Sequence, residues 1–351
     1  MSPGQTPLQL GMKLTALMVV VVAGLGGLVV AQAPKARHNR VIALLEQKQP
    51  VFGLYAPSNR RPGGPPGAAR PAVDPVALAA QAPPTSPAEL AKQAADYKLS
   101  DFVFDGSMEG DFDQAYGPFT EFAKGLTAAG VLSRAPHLHL THPMIVKSPE
   151  LRPDLAAAQA AIGKQLNLGV SGVMLVTVET AAEARAGIAA MRFKSQGGTR
   201  PDDVGQAPAV WGMREAEYRQ KADVWPLNPN GELINWTIVE SQKGLDNLKE
   251  IAAVPGIGVL WPGAGTLRGL FTTTDSTGAR TVDMVAWEAA IQQVLSACKA
   301  NKIACGFPAN ATDIETRMAQ GFNVFVMNWG DAGFKTVEAG RKLAGRTGAT
   351  P

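Results

Sequence analysis

Short apolar runs alternate with longer amphipathic stretches along most of this chain, and that alternation limits its fold more than any other feature. The runs are residues 51–55 (VFGLY), 101–105 (DFVFD), 137–141 (HLHLT), 172–178 (GVMLVTV), 234–240 (INWTIVE), 259–261, 303–307 and 324–328 (VFVMN). Amphipathic stretches follow nearly all of them: 117–129, 151–166, 181–191, 244–253, 284–301, 309–320 and 332–343, with 88–97 ahead of the second run. Apolar strands separated by helices predict a parallel sheet covered on both faces. Eight such units predict a closed (β/α)8 TIM barrel, with a doubly wound open sheet as the alternative. No Gly-x-Gly-x-x-Gly follows an early strand, which argues against a dinucleotide site.

The N-terminus has a different logic. Lys13 precedes an apolar run over residues 14–30 that ends in Ala31, Gln32 and Ala33. A positive residue, an apolar stretch and small residues at the end form a secretory signal. The expectation is therefore a removed signal peptide over 1–31, no stable membrane span after processing, and a periplasmic or secreted protein. An N-terminal helix and the first strand occupy 32–57, a Pro/Gly-rich loop 58–87, and the rest of the barrel 88–345. The loop composition (RRPGGPPGAARP, APPTSP) cannot nucleate helix or sheet. The net charge is only +3, with no basic run interleaved with aromatics, so nucleic acid is a poor partner. Cys298 and Cys305 fit no zinc spacing; a disulfide and two buried thiols both remain open.

In a TIM barrel the chemistry lies at the C-terminal strand ends. The residues expected there are Asp105, His137, His139, Glu179 and Glu240, with His142 close by. His137 and His139 repeat at the two-residue period of a strand and would share a face. Imidazole from one strand and carboxylates from others would suit a divalent ion. The loop at 225–232 (WPLNPNGE) is either an exposed turn or a lid supplying Trp225 or Asn228. Arg192 and Arg200 flank a Gly-Gly turn, Arg192 as surface and Arg200 as an anion-binding candidate.

Several segments resemble the HpcH/HpaI aldolase and citrate lyase family: residues 40–58 (RVIALLEQKQPVFGLYAPS), 172–193 (GVMLVTVETAAEARAGIAAMRF), 234–241 (INWTIVES), 245–269 (LDNLKEIAAVPGIGVLWPGAGTLRG) and 304–333. The resemblance implies a (β/α)8 barrel, a homo-oligomer (trimer or hexamer) and a small-molecule 2-oxo or hydroxy acid substrate. It implies a carbon–carbon lyase in which a divalent ion (Mg, Mn, Co or Zn) stabilises an enolate. Glu240 stands at the family's metal glutamate. Thr266 stands where the family has its second, aspartate ligand, Met108 where it has its acid–base histidine, and His139 where it has its arginine. Ile238 stands where aldolase members often have glutamine.

These departures imply a rebuilt site. In that reading Glu240, His139 and His137 bind the metal, and His139, Asp105 and Arg200 take part in catalysis. The competing reading is a barrel that has lost its chemistry and binds small molecules.

Overall fold

The computed structural model describes Met1, residues 35–58 and residues 84–348. The expected signal segment and most of the Pro/Gly-rich stretch, residues 59–83, lie outside the described residues. The barrel strands are β1 (Val51–Tyr55), β2 (Val103–Asp105), β3 (Met144–Lys147), β4 (Gly172–Leu175), β5 (Leu233–Val239), β6 (Ile257–Pro262), β7 (Ala304–Pro308) and β8 (Val324–Met327). Each pairs in parallel with the next, and β8 returns to pair with β1 through Val51↔Val324 to Leu54↔Met327. The sheet is therefore a closed barrel, and every strand delivers its C-terminal end to the same mouth.

Helix α1 (Arg40–Glu46) precedes β1 and plugs the opposite end. Asn39 caps it by accepting from the Val41 N–H at 3.0 Å. Val41 and Ile42 are fully buried among the inward residues Val51, Ile145, Ile234, Val259 and Val324. Burying each stabilises the plug by about 1.5–3 kcal/mol. Above this layer the barrel is filled by rings, with Trp236 stacked on Trp261 at 5.5 Å and on Phe104 at 5.8 Å. Gly306 makes room for this filling, since a Cβ there would sit 1.9 Å from the Trp261 ring.

The outer layer includes α2 (Pro87–Asp96), α3 (Phe112–Ala128), α4 (Leu155–Asn167), α5 (Ala181–Met191), α6 (Gln242–Asp246), α7 (Leu248–Ala252), α8 (Ala264–Leu270), α9 (Met284–Asn301), α10 (Ile314–Gln320) and α11 (Asp331–Leu343). Caps mark where several begin. Thr180 and Glu183 form a reciprocal capping box on α5, and Asp283 accepts from Val285 and Ala286 at the start of α9. Among the described residues, no helix is long and apolar enough to cross a membrane. Cys298, on α9, and Cys305, on β7, form a disulfide with a Cα–Cα distance of 5.7 Å.

The third barrel strand differs from the sequence expectation. The HLHLT run does form a ladder, but a small antiparallel one, pairing Leu132 with Leu140 and Ser133 with His139. The barrel position belongs to Met144–Lys147, which pairs with β2 and β4. The reason is burial. A parallel barrel strand is covered on both faces and needs a continuous apolar run, which Met144, Ile145 and Val146 supply. The alternating HLHLT pattern suits a half-buried ladder instead.

At the plugged end lies a buried ionic cluster. Asp101, fully buried, accepts from the Phe52 N–H at 3.0 Å and is paired with Arg40 and Arg341 at 3.1 and 3.2 Å and with Arg346. Two imidazoles are buried nearby, and the Asp101 carboxylate only partly offsets the cost of charging His142. Burial drives His142 down to about 4 and His38 down to about 3 from an ordinary 6.5. The unfolded chain takes up protons below its ordinary histidine value that the folded chain refuses. Stability is therefore complete above pH 6.5 and falls as pH drops toward 4. For His142 the loss is on the order of 3 kcal/mol. Urea midpoints measured across that window should fall steadily, and less so in His142→Asn. A flat profile would show that the folded protein accepts these protons.

Candidate active site at the barrel mouth

Glu240 follows β5 directly, so its side chain enters the mouth, where it is 6% exposed. Both of its oxygens are held. Oε1 accepts from the Thr177 N–H at 2.9 Å and the Thr177 hydroxyl at 3.3 Å. Oε2 accepts from the Thr266 hydroxyl at 2.8 Å. Thr177, just beyond β4, has φ +50°, a left-handed conformation that is a genuine outlier for a β-branched residue. Such strain persists where the surroundings over-determine it, and here it aims two donors at one carboxylate. Gly263 lets Glu240 lie back against β6, because a Cβ at that position would meet the Glu240 Cβ at 2.3 Å.

Lys147 ends β3, on the same face as the inward Ile145. Its ammonium meets Glu109 at 2.7 Å. Burial opposes its charge, but the Glu109 carboxylate, with Tyr55 and Glu240, holds its titration above the ordinary lysine value. Tyr55 ends β1 with its ring edge-on to Phe104 at 5.0 Å. Burial pushes its hydroxyl above the ordinary value; Lys147 opposes this, while Glu109, Asp105 and Glu240 add to it. Both groups therefore keep their protons at neutral pH and can donate to an anion. A cavity of about 560 Å³ opens beside them, lined by Tyr55, Lys147, Asp105, Glu109 and the apolar faces of α2 and α3 at Leu90, Phe119 and Phe122. Asp105, at the end of β2, accepts from the Ser107 N–H at 2.8 Å and the Ser107 hydroxyl at 2.5 Å.

The histidines expected here are elsewhere. His137 and His139 precede β3 and lie at the plugged end, opposite Glu240, because the strand they were assigned to begins only at Met144. His137 Nε2 lies 3.0 Å from the Arg37 carbonyl, His139 Nδ1 lies 2.9 Å from the His137 carbonyl, and Leu140 bridges to Asn39 beside α1. Glu240 and these two histidines are not brought together. His142 is also at that end, with Nε2 3.2 Å from the Tyr97 carbonyl. Arg200 is buried away from the mouth, stacked on Phe193 at 4.3 Å and donating to Asn167 and the Tyr218 hydroxyl at 3.1 Å each. Arg192 pairs with the buried Asp223 at 2.5 Å.

Two other expectations concern the 225–232 loop and Glu179. The loop is a turn at the same closed end, where Trp225 pairs with Ile234 and Asn228 donates to Asp223 at 2.9 Å. Glu179 is at the mouth side but committed to Arg152 at 3.0 Å, Lys243 at 3.3 Å and Ser241 at 2.8 Å. Lys147, Tyr55 and Thr177 are the residues that sequence reasoning missed, and of these Lys147 left a signal. Its signal is a lysine closing the apolar run MIVK just before Ser148 and Pro149.

The barrel is closed and parallel and carries a buried carboxylate, a lysine and a tyrosine at its C-terminal mouth, the face where barrels of this type place their sites. The family profile of HpcH/HpaI aldolase/citrate lyase matches residues 127–337, and the chain belongs to that family. The match takes in Lys147, Thr177, Glu240 and Thr266; Tyr55, Asp105 and Glu109 precede it. The chain is similar to 2-keto-3-deoxy-L-rhamnonate aldolase of Escherichia coli, 29% identical over 166 residues, which cover 47% of this chain and 57% of that protein. It is also similar to 2-dehydro-3,6-dideoxy-6-sulfogluconate aldolase of Pseudomonas putida, 34% identical over 104 residues, 30% of this chain and 37% of that protein. The match thus spans about half or less of these relatives. A solved HpcH/HpaI family structure from Burkholderia cenocepacia aligns with a TM-score of 0.58 at 20% identity, covering 87% of this chain and 97% of that one, a likeness of fold.

Members of this family generally depend on a divalent metal ion. The donors at this mouth do not fit one. Thr266 supplies a hydroxyl that donates to Glu240, and Glu240 has both oxygens occupied. Among the described residues, no three His, Cys, Asp or Glu side chains gather in a way that could hold a metal. Thr266→Val should cost about 1–2 kcal/mol by leaving one oxygen of a buried carboxylate unpaired. Urea denaturation reads this directly; an unchanged midpoint would mean that the Thr266 hydroxyl does not hold Glu240.

Proposed function

We propose that the protein is an aldol-type carbon–carbon lyase acting on a small 2-oxo or hydroxy acid. The observation that carries this reading is the cavity at the barrel mouth lined together by Lys147, Tyr55 and Asp105, with Glu240 near enough to act on the first two electrostatically. Family membership supports the reaction class. In aldol cleavage, a base removes the proton of a hydroxyl group. The neighbouring carbon–carbon bond then breaks, and its electron pair flows to the oxo oxygen as an enolate. Lys147 and Tyr55 are the proton-bearing groups that would stabilise that oxygen. Asp105 lines the same cavity and is the carboxylate that would carry the hydroxyl proton. Glu240, with both oxygens satisfied, orients the strand ends and offsets the ammonium.

The test is a screen of 2-oxo acids with aldehydes, followed by retro-aldol assays on the best pair. Lys147→Met and Asp105→Asn should each lower kcat/KM by roughly 100-fold or more. The Lys147→Met loss should be the less pH-dependent one, because Lys147 stays charged throughout the neutral range. Tight binding without turnover in every pairing would favour the alternative, a binding barrel.

Export belongs to the same reading. The signal pattern of the first 31 residues and the Cys298–Cys305 disulfide support an oxidising compartment. Protein taken from culture medium or periplasm should start near residue 32 and show no titratable thiol until reduced. Full-length cytosolic protein with reactive thiols would contradict it. A homo-oligomer is supported by Leu270, Met284 and Val285, exposed apolar residues brought near one another where the Asp283 N–H donates to the Phe271 carbonyl at 2.8 Å.

A further inference from the structure

We infer that this barrel mouth works without a divalent ion, with the Lys147 ammonium supplying the positive charge and Glu240 serving as a hydrogen-bonded anchor instead of a ligand. The inference rests on the proposed function for its chemistry; its evidence is the hydrogen bonding of Glu240 and the ammonium near it.

A carboxylate binds a metal through lone pairs, and those of Glu240 are largely spent. Oε1 takes the Thr177 N–H and lies beside the Thr177 hydroxyl, which is shared with Glu150, and Oε2 takes the Thr266 hydroxyl. Swinging Glu240 out to an ion would strand the Thr177 N–H and the Thr266 hydroxyl. It would also leave the left-handed Thr177 backbone without the contact it is shaped to make. The side chain has no slack on its other flank, where it fills the space a Cβ at Gly263 would need.

Two neighbouring carboxylates are committed as well. Glu109 holds Lys147 at 2.7 Å, and Glu179 holds Arg152 and Lys243. Glu150 is exposed and reaches only the shared Thr177 hydroxyl, at 3.2 Å. An ammonium that feels Glu240 would repel an incoming divalent ion and already occupies its electrostatic role. Thr266 is the pivot. An aspartate there would supply a second carboxylate and remove the donor that closes Glu240.

The experiment compares the wild-type chain with Thr266→Asp and Glu240→Gln, each stripped with chelator and titrated with Mn²⁺. The readouts are thermal unfolding and elemental analysis after desalting. The wild-type Tm should stay within error at every Mn²⁺ concentration, with no retained metal. Thr266→Asp should gain a Mn²⁺-dependent rise of roughly 5 °C near saturation. If Thr266→Asp does not fold, the wild-type titration decides alone. Wild-type protein that retains about one Mn²⁺ per chain, lost in Glu240→Gln, would overturn the inference. Pyruvate titrated calorimetrically into chelated wild type reads the proposed function separately. Absence of pyruvate binding with or without Mn²⁺ counts against that function, while the metal titration still decides this inference.

Discussion

The ladder that closes β8 onto β1 is the constraint on which everything else depends. Once the last strand pairs in parallel with the first, eight C-terminal strand ends must share one mouth, and their N-terminal ends another. Helix α1 fills the second opening with Val41 and Ile42. The molecule therefore has a sealed end and an open end, and a residue's place along its strand decides what it can do. Asp101 with its arginines, the histidines before β3 and Arg200 all fall on the sealed side or in the helix layer, away from the mouth. Tyr55, Asp105, Lys147, Thr177 and Glu240 fall at or just past strand ends, where a ligand can reach them.

Much of this was legible in the sequence, because parallel barrel strands need continuous apolar runs and helices need a longer period. Glu240 was legible for the same reason, as an acid closing an apolar strand. The error at the third strand shows where pattern reading fails. HLHLT alternates as a strand should, and it does pair, but only with Leu132–Ser133. The less conspicuous MIVK takes the barrel position because it supplies the continuous apolar run that a doubly covered strand favours. That shift moved the candidate cation from a histidine to Lys147. Arg200 misled for a related reason: a guanidinium beside a glycine turn resembles an anion site, while its aromatic neighbours lie far away in sequence. The bond between Thr177 and Glu240 spans 63 residues and depends on a positive φ, which no local pattern announces.

The site that emerges keeps the scaffold of its family and changes the source of positive charge. A metal ion polarises an oxygen strongly but needs several open ligands. A lysine and a tyrosine at the rim of a low-dielectric mouth stabilise the same oxyanion less strongly but need no open coordination sites. Saturating Glu240 with threonine donors is the counterpart of that exchange, since a carboxylate with spare lone pairs beside an ammonium would pair with it and neutralise it. Here the ammonium pairs instead with the half-exposed Glu109, which an incoming carboxylate can displace more readily.

The most direct measurement is a crystal structure of the protein grown with Mn²⁺ and oxalate, with data collected at the manganese edge. The account predicts oxalate within hydrogen-bond distance of Lys147 and Tyr55, Glu240 still bonded to Thr177 and Thr266, and no anomalous peak at the mouth. A manganese peak ligated by Glu240, with its side chain turned away from Thr266 and oxalate bound to the ion, would contradict it.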